Sequence, residues 1–163
     1  MTHDILKTYL RLLCLILGVL LVAILAARVT GQLRFPPSIL AWSSERDRNY
    51  EIYVLDLTTN TLRNISRNPY RDFEPVWSPD GLLVWESFRP NPNDVYLTAE
   101  IYLWDSRTGE VTNVTDHPEM DHSPVWSPDG RLTWMSERDG NKEIYTLDME
   151  SGEVTNLTQH PAD

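Results

Sequence analysis

The hydrophobic pattern changes character at Pro36 and Pro37. Before them, residues 12–27 read LLCLILGVLLVAILAA without a charge, and counting back past Arg11 to Thr8 brings the run to twenty. A helix crossing ~30 Å of hydrocarbon needs about 20 mostly apolar residues. This run is apolar all round rather than along one stripe, which predicts a spanning helix and not one lying on a membrane surface. Arg11 stands near its end, where the long stem can reach the headgroups. The reading is an uncleaved anchor over residues 8–27, inside an N-terminal tip, anchor and linker of residues 1–34. A cleaved signal peptide is the rival, but Ala26 and Ala27 are preceded by Ile24 and Leu25, where a small residue is needed. Lys7 and Arg11 before the run nearly balance Arg28 and Arg34 after it. The positive-inside rule therefore favours a cytoplasmic N-terminus only slightly.

After the prolines, which end any helix, the pattern is one of short strands over residues 35–163. SILAW, LLVWESF and RLTWMSE are apolar or aromatic, and so are EIYVLDL, EIYLWDS and EIYTLDM. TLRNIS, EVTNVT and EVTNLT follow them, and PVWS occurs twice. Residues 52–55 are apolar at adjacent positions, whereas a half-exposed sheet would alternate. Both faces of such a sheet are covered, which predicts sheets stacked face to face.

The strands belong to a repeat. PVWSPDG stands at residues 75–81 and again at 124–130. Trp42, Trp85 and Trp134 are equivalent, as are Glu51, Glu100 and Glu143, each followed by Ile-Tyr. The intervals are 43 and 49 residues, and one six-residue insertion in the middle copy accounts for the difference. A period of ~40–45 residues is that of a four-stranded propeller blade. Trp77 and Trp126 then lie on the first strand of a blade. Asp80-Gly81 and Asp129-Gly130 make the turn into the second, glycine accepting the positive φ. Eleven strands are predicted: three of a first blade, then two full blades.

WSPDG, a tryptophan strand, S-x-R-D-G-N, E-I-Y-x-L-D and a closing T-N-L-T together resemble the propeller repeat of the TolB family. The resemblance covers residue 38 to the C-terminus. Relatives of that repeat occur in the propeller domains of prolyl-oligopeptidase-like enzymes. It implies an all-β partial propeller and a place in the cell envelope, with the blades outside the cytoplasm. Rings usually need 4–8 blades. Two chains could close a six-bladed ring as a homodimer, or the chain is part of a longer propeller.

Charge narrows the partners. The formal net charge is -10, and of the 24 acidic side chains only Asp4 lies in the first 34 residues. Such a surface repels phosphate backbones, so no nucleic acid is expected. The single cysteine, Cys14, lies in the apolar run, so the rest of the chain can form no internal disulfide and cysteine usage does not indicate a redox compartment.

Candidate chemistry is sparse. Ser44, Ser87 and Ser136 recur with Arg46, Arg89 and Arg138. A nucleophilic serine would be unique, with its own histidine and carboxylate. The repeated Ser-x-Arg reads as structural, the guanidinium pinning a turn to Asp56, Asp105 or Asp148. No G-x-S-x-G, G-x-G-x-x-G or P-loop occurs. Asn64, Asn113 and Asn156 begin N-x-S/T triplets at one repeat position and read as polar strand. HPEMDH, residues 117–122, has metal-ligand residue types without a recognised spacing and reads as a solvated loop. No metal or cofactor is expected. The insertion PNPNDVYLTA breaks the repeat, and loops on rigid scaffolds carry specificity. Asn91, Asn93, Asp94 and Tyr96 are the candidate binding residues.

The expected function is a membrane-tethered, extracytoplasmic propeller-type module that binds a protein or peptide and catalyses nothing. The alternatives are the non-catalytic propeller part of a prolyl-oligopeptidase-like hydrolase, or a truncated propeller without retained function.

Overall fold

The computed structural model describes residues 38–90 and 97–161. The anchor read over residues 8–27, and Asn91, Asn93, Asp94 and Tyr96, lie outside the described residues. Among the described residues no helix is long and apolar enough to cross a membrane.

Among the described residues eleven strands form three antiparallel sheets. The first is β1 (Ile39–Ser44), β2 (Glu51–Asp56) and β3 (Thr61–Asn64). The second is β4 (Asp72–Trp77), β5 (Leu82–Pro90), β6 (Leu97–Asp105) and β7 (Val111–Asn113). The third is β8 (Asp121–Trp126), β9 (Leu132–Ser136), β10 (Glu143–Leu147) and β11 (Val154–Asn156). Each sheet is a meander in which sequence neighbours pair, so each is one blade.

Alternation along the strands sends side chains to opposite faces, and both faces of blade 2 are used. Leu83, Trp85 and Trp104 face back onto Ile52 and Val54 of blade 1, with Trp77 and Ile65 beside them. Val84, Ile101 and Leu103 face forward onto Leu132, Trp134 and Tyr145 of blade 3, with Val76 and Trp126 beside them. Trp85 and Trp134 are equivalent, and each is buried against the preceding blade. Full burial of such a ring removes 150–250 Å² from water, which makes it the main adhesive of the seam. The forward face of blade 3 shows what a seam would cover: Val125, Ile144 and Leu157, equivalents of Val76, Ile101 and Val114, are 52%, 36% and 56% exposed.

The repeated turns follow their residues. Gly81 and Gly130 have φ of 85° and 87°, and their amides bond back to Ser78 O and Ser127 O. Ser78 Oγ accepts from Asp80 N and Leu82 N, so the serine of WSPDG organises the reversal. Both innermost strands carry a bulge at the same place. Register slips between Phe73 and Val76 and between His122 and Val125, with Glu74 and Ser123 left-handed at φ 53° and 56°.

The insertion does more than lengthen a loop. β5 and β6 stay paired through Phe88↔Ala99, Arg89↔Thr98 and Pro90↔Leu97, whereas β9 and β10 part after Ser136↔Glu143. The middle blade therefore carries a hairpin that extends beyond its neighbour's.

Candidate functional site

Two polar nodes recur, the first complete in blades 2 and 3 and the second in all three blades, and they account for most of the repeated polar residues. The first joins the innermost strand to the second. In blade 3, Asp121 is fully buried. Its Oδ1 accepts from Trp134 Nε1 at 2.9 Å, and Arg138 Nη2 lies 3.2 Å from each of its oxygens. Arg138 Nε donates to Ser136 Oγ at 2.8 Å, and the guanidinium lies over the Tyr145 ring at 4.6 Å. Blade 2 repeats this. Asp72, also fully buried, accepts from Trp85 Nε1 at 3.0 Å and from Ser87 Oγ. Arg89 Nη2 stands 3.6 Å away, its guanidinium over Tyr102 at 4.5 Å. Burial pushes the Asp72 carboxyl up, against the pull of Ser87 and Arg89.

This corrects the expected partners of the repeated arginines. Asp56, Asp105 and Asp148 sit at the far ends of β2, β6 and beyond β10. Asp56 and Asp148 accept turn amides from Thr58 and Thr59 and from Glu150 and Ser151. Asp105 pairs with Arg107 at 2.7 Å, which draws its carboxyl down to about 2. The carboxylates that meet Arg89 and Arg138 are Asp72 and Asp121, each directly opposite the node serine across a hairpin.

Among the described residues blade 1 has the receiving half alone. Arg46 Nε donates to Ser44 Oγ at 3.2 Å, and its guanidinium lies 4.2 Å over Tyr53 and 5.7 Å over Trp42. Among the described residues no innermost strand pairs with β1, and no carboxylate is set against Arg46 as Asp72 and Asp121 are against theirs. A related gap lies on the seam. Trp126 Nε1 donates to Val76 O of the preceding blade at 3.2 Å. Its equivalent, Trp77 Nε1, is buried and has no hydrogen-bond partner among the described residues. An unsatisfied buried donor costs about 1–3 kcal/mol.

The second node clamps the chain as it passes from one blade to the next. Thr115 Oγ1 accepts from Ile101 N at 3.1 Å and donates to Glu100 Oε2 at 2.6 Å; the same oxygen takes His117 N. Ser66 with Glu51, and Thr158 with Glu143, repeat it. Asn64, Asn113 and Asn156 turn the chain just before it, each accepting from an amide three residues on. The N-x-S/T triplets are therefore used internally.

HPEMDH is drawn apart. Asp121 belongs to the first node. His117 Nδ1 accepts from Glu119 N, and His122 Nε2 lies 3.7 Å from Glu137. Among the described residues no three metal-ligating side chains converge.

What remains unrepeated lies around the extended β5–β6 hairpin. At its base Tyr50, Phe73 and Phe88 form a half-buried aromatic file from blade 1 into blade 2, with centroids 4.8 and 6.1 Å apart. Arg89, next to Phe88 in the strand, turns instead to the Tyr102 ring, and Leu97, paired with Pro90, is 43% exposed. Nearby, Glu86 accepts Ser123 N at 3.2 Å across the next seam, and burial pushes its carboxyl up. Sequence reasoning missed Glu86 and the aromatic file, since neither position repeats. At the opposite end of the blades an open groove of about 450 Å³ lies between blades 2 and 3, lined by Leu82, Leu103, Asp105, Arg107, Glu110 and Met149 among others.

Comparison with solved structures places this architecture. TolB from Acinetobacter baumannii matches with 30% identity and a TM-score of 0.59, over 74% of this chain and 29% of that one. A putative TolB from Agrobacterium tumefaciens matches at 26% identity and TM-score 0.59, over 76% of this chain and 43% of that one. A puromycin hydrolase shares the fold at 15% identity and TM-score 0.56, over 79% of this chain and 20% of its own length. No family model and no curated protein matches. The described blades thus have a TolB-like β-propeller fold. The chain spans less than half the length of either TolB structure.

Proposed function

We propose that the chain is a propeller-type binding module that engages a protein or peptide and has no catalysis of its own. In this reading it is tethered to the cell membrane through residues 8–27, with the blades outside the cytoplasm. The observation that carries it is the division of labour among polar residues. In blades 2 and 3 the repeated serines, arginines, aspartates and glutamates are consumed in internal bonds, while the one departure from the repeat is an extended hairpin on an aromatic base. Likeness to TolB proteins supports the propeller binding module, and the envelope location is what that resemblance implies. The surface that recognises the partner is then the β5–β6 hairpin, with Asn91, Asn93, Asp94 and Tyr96 in the sequence that joins its two strands.

A photo-crosslinking amino acid placed at Tyr96, in the full chain in cells that make it, tests this. One discrete crosslinked protein is expected from that position, and none from Thr59 at the other end of the blades. Equal labelling from both positions, or none from Tyr96, would remove the hairpin as the recognition surface.

A further inference from the structure

Among the described residues Arg46 faces no carboxylate of the kind its equivalents meet and Trp77 Nε1 meets no acceptor, and in blade 2 one strand supplies both. In blade 2, Asp72 fills the node made by Trp85, Ser87 and Arg89. Four residues further along the same strand, Val76 O accepts the indole N–H of Trp126 from the next blade. One innermost strand thus satisfies two separate groups: a buried cationic node in its own blade and a tryptophan from the following one. The two matching receivers stand on blade 1 and on the first strand of blade 2. Trp42, Ser44 and Arg46 hold the node geometry, with Arg46 on Ser44 and over Tyr53 as Arg138 is on Ser136 and over Tyr145. Trp77 Nε1 is buried, and among the described residues nothing accepts from it. Between them runs β1, whose second edge has no paired strand among the described residues.

We propose that this edge of β1 is a strand-accepting site. Its ligand is an extended segment of a second polypeptide that sets an aspartate opposite Ser44, with the carbonyl four residues later meeting Trp77 Nε1. Main-chain pairing with an open edge supplies affinity, and the pockets for particular side chains supply selection. Here selection rests on the carboxylate, because a guanidinium, a hydroxyl and an indole N–H converge on one position, and charge-assisted bonds are the strong ones. The chain's own residues 29–34 stand at the matching distance before Ile39, but they put Val29 where the aspartate belongs. A segment with the character of β4 or β8, DFEPVW or DHSPVW, meets both demands. This site is separate from the β5–β6 hairpin, so its failure leaves the proposed function of that hairpin untouched.

The test uses a fluorescein-labelled peptide, DHSPVWSPDG, whose sequence is that of residues 121–130. It is added to the full chain in detergent micelles and followed by anisotropy. Saturable binding is expected, weakened about tenfold or more when the first residue of the peptide is asparagine, since a bond to a charged group is lost. The Arg46→Lys variant should weaken the aspartate peptide and leave the asparagine peptide unchanged, because an ammonium lacks the fork. The peptide variant leaves the protein intact, so misfolding cannot imitate the result. No saturable binding up to about 1 mM would overturn the proposal, as would binding indifferent to both changes. A dimeric chain that the peptide dissociates would support the site and identify the second polypeptide as another copy of this chain.

Discussion

Trp126 Nε1 lies 3.2 Å from Val76 O, across the seam between two blades, while its repeat equivalent Trp77 has no acceptor among the described residues. The same residue type at the same repeat position is therefore satisfied once and unsatisfied once. Trp→Phe keeps most of the apolar area and removes the N–H. Trp126→Phe should cost about 1 kcal/mol for the lost bond in addition to the lost area. Trp77→Phe should cost measurably less, because it relieves an unpaired buried donor. Thermal melts of the two variants check this, and equal losses would show that Trp77 has an acceptor.

The blade-to-blade clamp gives a second expectation. Thr115 Oγ1 both accepts from Ile101 N and donates to Glu100. Valine has nearly the same shape and can do neither. Thr115→Val should lower stability by about 1–2 kcal/mol, with two polar groups left short of a partner. Thr115→Ser should recover most of that in chemical denaturation.

Turn geometry separates two glycines. Gly81 and Gly109 both have positive φ, near 85° and 79°. A Cβ at Gly81 would also stand 3.3 Å from Ser106 Oγ, which donates to Gly81 O at 2.8 Å, whereas nothing lies within 4 Å at Gly109. Alanine costs about 1–2 kcal/mol at either position for the left-handed backbone. Gly81→Ala should be the worse of the two by melting temperature, and an equal effect would mean Ser106 moves aside freely.

Acid should act in two stages. Burial raises the carboxyls of Asp72, Glu86 and Glu100. A raised group holds its proton more tightly in the folded state. Its stabilisation is complete below the ordinary carboxylate value and is lost as pH rises through the folded value. Asp105, at about 2 beside Arg107, behaves oppositely, and Asp56, Asp129, Asp139, Asp148 and Glu143 are lowered as well. Their contribution is present above the ordinary value and lost as pH falls through the folded one. The melting temperature should rise modestly from about pH 7 toward 5 and then fall below about 4. A steady fall from neutrality would contradict the burial of Asp72 and Glu86.

Much of the blade was legible because one unit is written three times. Equivalent tryptophans and glutamates set the period, and PVWSPDG marked a strand with its turn. The partner of the repeated arginine was not legible. Asp72 precedes Arg89 by 17 residues and reaches it only because hairpin pairing sets Asp72 opposite Ser87. The first copy offers no aspartate there, so comparing three copies pointed instead to Asp56, Asp105 and Asp148, which all three share. Lengthening of the β5–β6 hairpin was hidden for another reason. Inserted residues are read as loop until their pairing is seen, and Arg89↔Thr98 continues the ladder beyond the repeat.

One buried carboxylate from the innermost strand locks each complete blade, and blade 1 lacks that lock among the described residues. The direct measurement is the melting temperature of three single variants of the full chain, Arg46→Ala, Arg89→Ala and Arg138→Ala. Removing a partner from a buried ion pair costs about 3–5 kcal/mol, and these arginines are partly exposed, so Arg89→Ala and Arg138→Ala should each lose somewhat less than that. Arg46→Ala should lose only about 0.5–1 kcal/mol, from its ring contact. Three equal losses would show a carboxylate already seated against Arg46, and blade 1 would then be locked like the others.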